Sequence, residues 1–478
     1  METKEERGEG CMQGIRRYIG DRAFYRHALA VMLPILAQNI VSNLISSLDN
    51  MMTGPLGTAE MSGVSVVNQL LFVFNWCLFG MVSGAGIFAA QAHGRRDREG
   101  VRDVFRFTWY VGAVILAVGL FVFSLFGDGL VSLYLHEGEG SDPAVILSFA
   151  KEYLGIMLLA LIPYTVAQVY GGTLRATGNT VPPMLAALVG VLTNLALNWV
   201  LIFGRLGAPA LGVRGAAIAT VIARVVECLT VVLYTHLRRA RCDFILGAYR
   251  SLRVPSALFR GILLRGMPLM MNEGLYAMGL ATLLAAYAVR GGDTLASLTI
   301  AGTVCDLFTY LFISAGSATS ILLGHILGTG DAEAARDASR KLIAFTLGMG
   351  LLCGILLAVG SPFFPLLYEA PDTVRALATQ FILVRAGVAP ILGLLNGCYF
   401  TILAGGDTAI TFLLDSGYVW AGNVLPAFLL ASYTALPILA VYAVCTFSDL
   451  FKAIIGGLLV RRGKWAKTLG DQPKSDNL

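Results

Sequence analysis

Charge is what this chain has least of: 14% of its 478 residues are Asp, Glu, Lys or Arg, while 56% are hydrophobic. With a mean hydropathy of +0.72, that balance sets it apart from ordinary water-soluble domains. Histidine is nearly absent, with five in the chain, and His93, His136, His236 and His325 have no partner spacing for metal or nucleophile chemistry. The eight cysteines, Cys11, Cys77, Cys228, Cys242, Cys305, Cys353, Cys398 and Cys445, form no CxxC and sit mostly in apolar runs, which reads as reduced packing residues without a metal. Gly84-Ala-Gly86 and Gly171-Gly172 lack the lysine and spacing of a phosphate cradle. No enzyme constellation and no resident cofactor are expected. The net charge of +5 does not call for nucleic acid, because the basic residues fall in short segments between apolar runs, where membrane topology explains them. Residues 1–27 are charged and amphipathic, without a short apolar core and cleavage site, so the first span is expected to double as the targeting signal.

What is there instead is a series of long apolar runs. A hydrocarbon core of about 30 Å needs about 20 mostly apolar residues. By that measure the chain reads as an all-α polytopic membrane protein of about twelve spans, at 27–50, 60–92, 104–127, 146–170, 180–203, 212–237, 260–289, 294–327, 338–360, 374–403, 408–430 and 434–460. Within the first span lies one carboxylate, Asp49, preceded by Asn39, Ser42, Asn43, Ser46 and Ser47. An Asp at the bilayer centre costs about 2.5–3.5 kcal/mol on insertion scales, so such a stripe should face protein or water and marks a functional position. The alternative is that Asp49 caps the span at the headgroup level.

Basic residues alternate between loops. Arg16, Arg17, Arg22 and Arg26 precede the first span, Arg95 to Arg106 follow the second, Arg238 to Arg260 follow the sixth, and Arg461 to Lys467 follow the twelfth. Odd-numbered loops look different: 54–60 has no Lys or Arg, and 127–143 is acidic, with Glu137, Glu139 and Asp142. The positive-inside rule then puts both termini in the cytoplasm of a multi-pass protein of the inner (plasma) membrane. The two halves also repeat. Gly94, Asp97, Glu99, Arg102, Asp103 and Arg106 recur as Gly328, Asp331, Glu333, Arg336, Asp337 and Arg340 at a constant shift of 234, which also carries Pro34 onto Pro268. Thr173 to Thr180 resembles Thr401 to Thr408. Six spans per half give parallel repeats, the plan of transporters that rock one bundle against another. The expected division is a cytoplasmic segment 1–26, a first lobe 27–237, a basic linker 238–259, a second lobe 260–460 and a cytoplasmic tail 461–478.

The GxxDxExxRD repeats, Gly212 to Thr220, the polar-dotted Thr193 to Asn198 and the Gly-Asn-Thr and Gly-Asp-Thr loops together resemble the multidrug and toxic compound extrusion (MATE) family, over all twelve spans. The resemblance implies two six-helix lobes around a V-shaped central cleft. It also implies export of amphipathic, cationic compounds by antiport with H+ or Na+, the coupling ion being the only inorganic partner. On the family's pattern the first-lobe cation site falls on Asp49, Asn194, Asn198 and Thr220. Asn194 and Asn198 share a helix face at i, i+4, and oxygen ligands suit a hard cation. Asn198 departs from members that carry Asp there, which leaves Asp49 as the titratable group; interhelical hydrogen bonding is the plainer role for the two amides.

In the second lobe Glu273, Asp306 and Asp415 are candidate substrate or ion groups, with Arg385 a candidate partner for one of them. Arg224 and Glu227 read as an internal i, i+3 pair. Met270, Met271, Tyr276, Tyr399 and Tyr418 suit varied ligands, although such a wall is more often core. The expected partners are small amphipathic organic cations and the lipid bilayer, with the protein acting as a monomer. A flippase for lipid-linked precursors or polysaccharides shares the architecture, but it would present Arg or Lys to an anionic pyrophosphate, whereas here the acids outnumber the unpaired Arg385. A membrane-embedded enzyme is the remaining alternative.

Overall fold

The computed structural model describes residues 18–133, 142–251 and 253–469. Cys11, Arg16, Arg17, His136, Glu137 and Glu139 lie outside them, as do the side chains of Asn43, Ser46 and Ser47. Among the described residues the chain forms helices, turns and no strand. In order these are α1 (Arg22–Thr53), α2 (Thr58–Gly94), α3 (Arg98–Ser132), α4 (Pro143–Ala176), α5 (Val181–Phe203) and α6 (Val213–Leu237), then α7 (Ser256–Ala288), α8 (Gly292–Gly328), α9 (Ala332–Gly360) and α10 (Asp372–Ala404). The chain ends in α11 (Thr408–Phe412), α12 (Leu425–Tyr433), α13 (Ile438–Phe447) and α14 (Asp449–Arg461).

Among the described residues ten helical stretches are long and apolar enough to cross a bilayer. Two of the twelve expected spans are different in kind. α1 is 32 residues long, and its residues 28–45 are uncharged and mostly apolar, interrupted by the polar stripe that leads to Asp49. The stretch between α11 and α12 is wound as π-helix at Leu413–Gly417 and Val419–Val424, a local widening of the helix that is frequent at functional sites. Lipid-facing surface is visible where helices have no protein to cover them: Val114, Val118, Phe121 and Leu125 on α3 and Leu351, Leu352, Ile355 and Val359 on α9 are all exposed. That is the reverse of a soluble protein's surface and suits a hydrocarbon solvent.

The repeat seen in the sequence is a repeat of structure. Asp97 accepts from the Gly100 amide and so caps α3, and Asp331 accepts from the Glu333 and Ala334 amides and caps α9, each satisfying donors that a helix start leaves open. Gly94 and Gly328 mark one reciprocal crossing of α2 and α8. A Cβ on Gly94 would collide with the carbonyl of His325, and one on Gly328 with the carbonyl of Gln91. Since 91 and 325 are also related by the shift of 234, the contact is two-fold in character. Small residues recur where other helices cross: Gly80 and Gly84 of α2 lie against Met270 and Gly266 of α7, and Gly350 and Gly354 of α9 against Ala389 and Ala386 of α10. Close backbone approach of this kind drives helix packing where lipid removes the hydrophobic incentive.

The chain divides into two compact units: one, the N-unit, takes Ala37–Ala89 and Asp97–Met270, and the other, the C-unit, takes residues up to Leu36, Ala90–Arg96 and residues from Met271 onward. This differs from a division at the basic stretch 238–259, which lies wholly inside the N-unit. There the Arg106 guanidinium of α3 donates to the carbonyls of Gly247 and Ala248 and to Asp103, so the stretch is packed rather than a free linker. α1, α2 and α7 each give residues to both units; for α2, the Gly94–Gly328 crossing binds its end to α8. The N-unit core is built on Val64, Val67, Phe74, Leu78, Tyr153 and Ile202. In the C-unit Val31 and Ile35 pack with Leu323 and Leu342, and a second cluster joins Tyr287, Phe381 and Val441.

Candidate functional site

Four helices of the N-unit converge on Asp49. α1 places it one turn before its end, where the Thr53 hydroxyl bonds back to the Asp49 carbonyl and the side chain turns inward, only 1% exposed. α5 brings Asn194 and Asn198, one turn apart and both fully buried, and α6 brings Thr220. Asn198 Nδ2 donates to Asp49 Oδ1 at 2.8 Å and Asn194 Nδ2 to the same oxygen at 3.3 Å. Thr220 Oγ1 donates to Asp49 Oδ2 at 2.7 Å while accepting from Asn194 Nδ2 at 2.9 Å. Asn198 Nδ2 also reaches Asn194 Oδ1 at 3.1 Å. The fourth helix, α4, supplies Tyr153, whose hydroxyl donates to Asp49 Oδ2 at 2.8 Å.

Every group holding Asp49 is therefore neutral, and among the described residues no basic side chain lies within ion-pair distance of it. Hydrogen bonds to a charged group contribute about 1.5–3 kcal/mol each, enough for several to offset the cost of burying the carboxylate, but they leave its charge uncancelled. One oxygen in the cluster has no donor: Asn198 Oδ1 is buried and unpartnered. An orphaned buried acceptor costs about 1–3 kcal/mol, and beside a carboxylate it is the kind of oxygen that a cation satisfies. A cavity of about 50 Å³ adjoins Asp49 and Thr220, lined also by Asn68, Asn75, Tyr164 and Arg224. That is room for a water or a small ion. Arg224 on its wall is engaged elsewhere, paired with Glu227 at 2.8 Å and lying over the Tyr164 ring.

Asp49, Asn194, Asn198 and Thr220, which the sequence singles out, are thus brought together, and the Asp49 carboxylate points into the protein rather than capping a helix end. Tyr153 completes the cluster and was not visible beforehand; nothing in its local sequence distinguishes it from a core tyrosine.

The second-lobe candidates do not assemble in the same way. Asp415 lies in the π-helical stretch, where Lys452 of α14 donates to Oδ1 at 2.7 Å and Asn272 of α7 to Oδ2 at 3.1 Å. Asn272 is fixed in turn by Ser416, whose hydroxyl and amide both bond to it. Arg385 is not the partner: among the described residues no carboxylate lies within ion-pair distance of it. Glu273 is half-buried on α7 and Asp306 is exposed on α8, and neither is in an ion pair among the described residues. The basic partner of Asp415 is instead Lys452, buried to 5% exposure, a residue that the local sequence does not single out. Asp407 lies outside this network and pairs with Lys467 at 3.1 Å.

A carboxylate buried among neutral donors inside a bundle of bilayer-length helices, in a chain of two repeats, defines a polytopic helical membrane protein built as a transporter. The MatE family model matches residues 34–200 and 268–414, one segment in each repeat, and the chain belongs to that family. It is 25% identical over 449 residues to the probable multidrug resistance protein NorM of Thermotoga maritima, covering 92% of this chain and 93% of that one. It is 24% identical over 423 residues to the probable multidrug resistance protein YoeA of Bacillus subtilis, covering 87% and 89%. In fold it resembles a multidrug resistance MATE family transporter of the MOP superfamily solved in an outward-facing conformation, with a TM-score of 0.83 at 19% identity over 95% of this chain and 99% of that one. A MOP superfamily transporter from Pyrococcus furiosus, described as having a binding pocket of reverse polarity, matches with a TM-score of 0.81 at 19% identity over 94% and 97%.

Proposed function

We propose that this multidrug-efflux-type transporter exports amphipathic organic cations by antiport with H+ or Na+, as a monomer in the inner membrane with both termini in the cytoplasm. The observation that carries the reading is Asp49: a buried carboxylate with four neutral donors and, among the described residues, no basic group within ion-pair distance offers a site that a proton or a hard cation neutralises by turns. Neutralisation removes the charge that opposes rearrangement of α1 against α4, α5 and α6, and a ligand that binds one arrangement better than the other shifts the equilibrium between them. The orphaned Asn198 Oδ1 supports a cation as well as a proton. Cargo sign is not fixed by the fold, given the reverse-polarity relative; here Glu273 and Asp306, neither in an ion pair among the described residues, support cations, while Asp415 is neutralised by Lys452. Burying an organic cation beside a carboxylate avoids the cost of leaving either charge alone.

Efflux of matched cationic and anionic dyes from vesicles under imposed Na+ or pH gradients tests this directly. Asp49→Asn keeps the shape of the side chain and is expected to preserve the fold while abolishing gradient-driven efflux. Export at the wild-type rate, at equal expression, would move the coupling site elsewhere; a preference for the anionic dye would favour the flippase.

A further inference from the structure

The basic stretch after α6 does more than join two halves. Together with the start of α3 it encloses a cavity of about 790 Å³ whose charged lining is Arg102, Arg106, Arg250 and Arg253 against Glu99 and Asp103. Asp103 is neutralised by Arg106 at 2.8 Å, and Arg106 is further used in holding the Gly247 and Ala248 carbonyls. Glu99 reaches Arg102 only at 3.8 Å and its side chain is 86% exposed. Arg102 Nε is buried without a hydrogen-bond partner, and among the described residues neither Arg250 nor Arg253 is in an ion pair. Three guanidinium groups therefore converge with donors to spare.

We propose that this cavity binds the phosphate of an anionic phospholipid headgroup. Planar guanidinium forks match phosphate oxygens, and basic pockets at the ends of membrane helices hold anionic headgroups. The site is at that level, since Arg102 lies in the first turns of α3 and Pro255 directly precedes α7. Its lip is apolar and exposed at Leu246, with Tyr249 beside it also exposed, as an interfacial surface should be. Bound there, the lipid ties the stretch 238–255 to α3.

The test is native mass spectrometry of the full-length protein with dioleoyl phosphatidylglycerol, dioleoyl phosphatidylcholine or inorganic phosphate added. Wild type is expected to retain phosphatidylglycerol and not phosphatidylcholine. Arg250→Gln with Arg253→Gln, both exposed and safe for the fold, should weaken that retention roughly thirtyfold at about 1 kcal/mol per arginine, and Arg102→Gln should weaken it further. Equal retention of the two lipids, or undiminished retention by the double variant, overturns the proposal. Displacement of phosphatidylglycerol by millimolar inorganic phosphate, with phosphate itself retained, overturns it in favour of a soluble phosphate ligand.

Discussion

Tyr153 on α4 and Asp49 on α1, 104 positions apart, share a hydrogen bond of 2.8 Å in the interior of the N-unit. Both side chains are almost wholly buried, so breaking the bond leaves the carboxylate one protein donor short. Tyr153→Phe deletes only the hydroxyl and leaves Asp49 Oδ2 with Thr220 alone. A hydrogen bond to a charged group contributes about 1.5–3 kcal/mol, so the variant should unfold at lower temperature in detergent and lose about tenfold of its gradient-driven efflux. An unchanged melting temperature together with unchanged efflux would show that the hydroxyl has no part in holding the carboxylate.

The Asp415–Lys452 pair predicts a different pattern. Its ammonium is buried and its carboxylate mostly so, with side-chain exposures of 6% and 20%. Removing one partner leaves the other charge uncompensated, at a cost of about 3–5 kcal/mol, whereas replacing both is close to neutral. Lys452→Met should therefore destabilise the protein strongly, and Asp415→Asn added to it should restore most of the loss in a thermal double-mutant cycle. Additive losses would mean the two residues act independently.

How far the sequence anticipates this site depends on the kind of signal each residue leaves. Asp49, Asn194, Asn198 and Thr220 stand out because polar groups in bilayer-length apolar runs are costly, and the i, i+4 spacing of the two amides puts them on one face. Tyr153 leaves no such signal, since a tyrosine in an apolar helix is equally at home in a core, and its role exists only once α4 meets α1. Lys452 is hidden for another reason: its partner Asp415 lies 37 positions away in another expected span, and no local spacing announces the pair. The repeat was legible to the residue, because Gly94 and Gly328 are required by a close crossing and Asp97 and Asp331 by a cap. The reciprocal contact itself was not, because it exists only once the ends of α2 and α8 meet.

Topology offers a third prediction, and the structure decides where to place the probes. Gly247 is a poor choice for a cysteine because its φ is 76° and its carbonyl is bonded to Arg106. Ala240 is exposed in the turn after α6, and Leu206, between α5 and α6, is 85% exposed. In a background without reactive native cysteines, Leu206→Cys should react with an impermeant maleimide from outside the cell and Ala240→Cys only after permeabilisation. The opposite pattern would reverse the orientation drawn from the basic loops.

Asn198→Asp is the most informative change at the cation site. The amide nitrogen that now donates to Asp49 at 2.8 Å becomes a carboxylate oxygen, and two carboxylates that close cannot both stay ionised without a counter-charge. The pair must share a proton or hold a cation, and the oxygen replacing the unpartnered Asn198 Oδ1 now carries charge as well. Binding to the folded state stabilises it in proportion to the logarithm of ligand over dissociation constant. Raising Na+ from 1 to 100 mM at constant ionic strength should therefore raise the melting temperature of Asn198→Asp more than that of wild type, and the difference should widen as pH rises and protons cease to compete. Asn198→Asp combined with Asp49→Asn should cancel the gain, because it returns the site to one carboxylate. Should the single variant show no greater Na+ response than wild type at any pH between 6 and 9, the cluster is a proton site and Na+ plays no part in it.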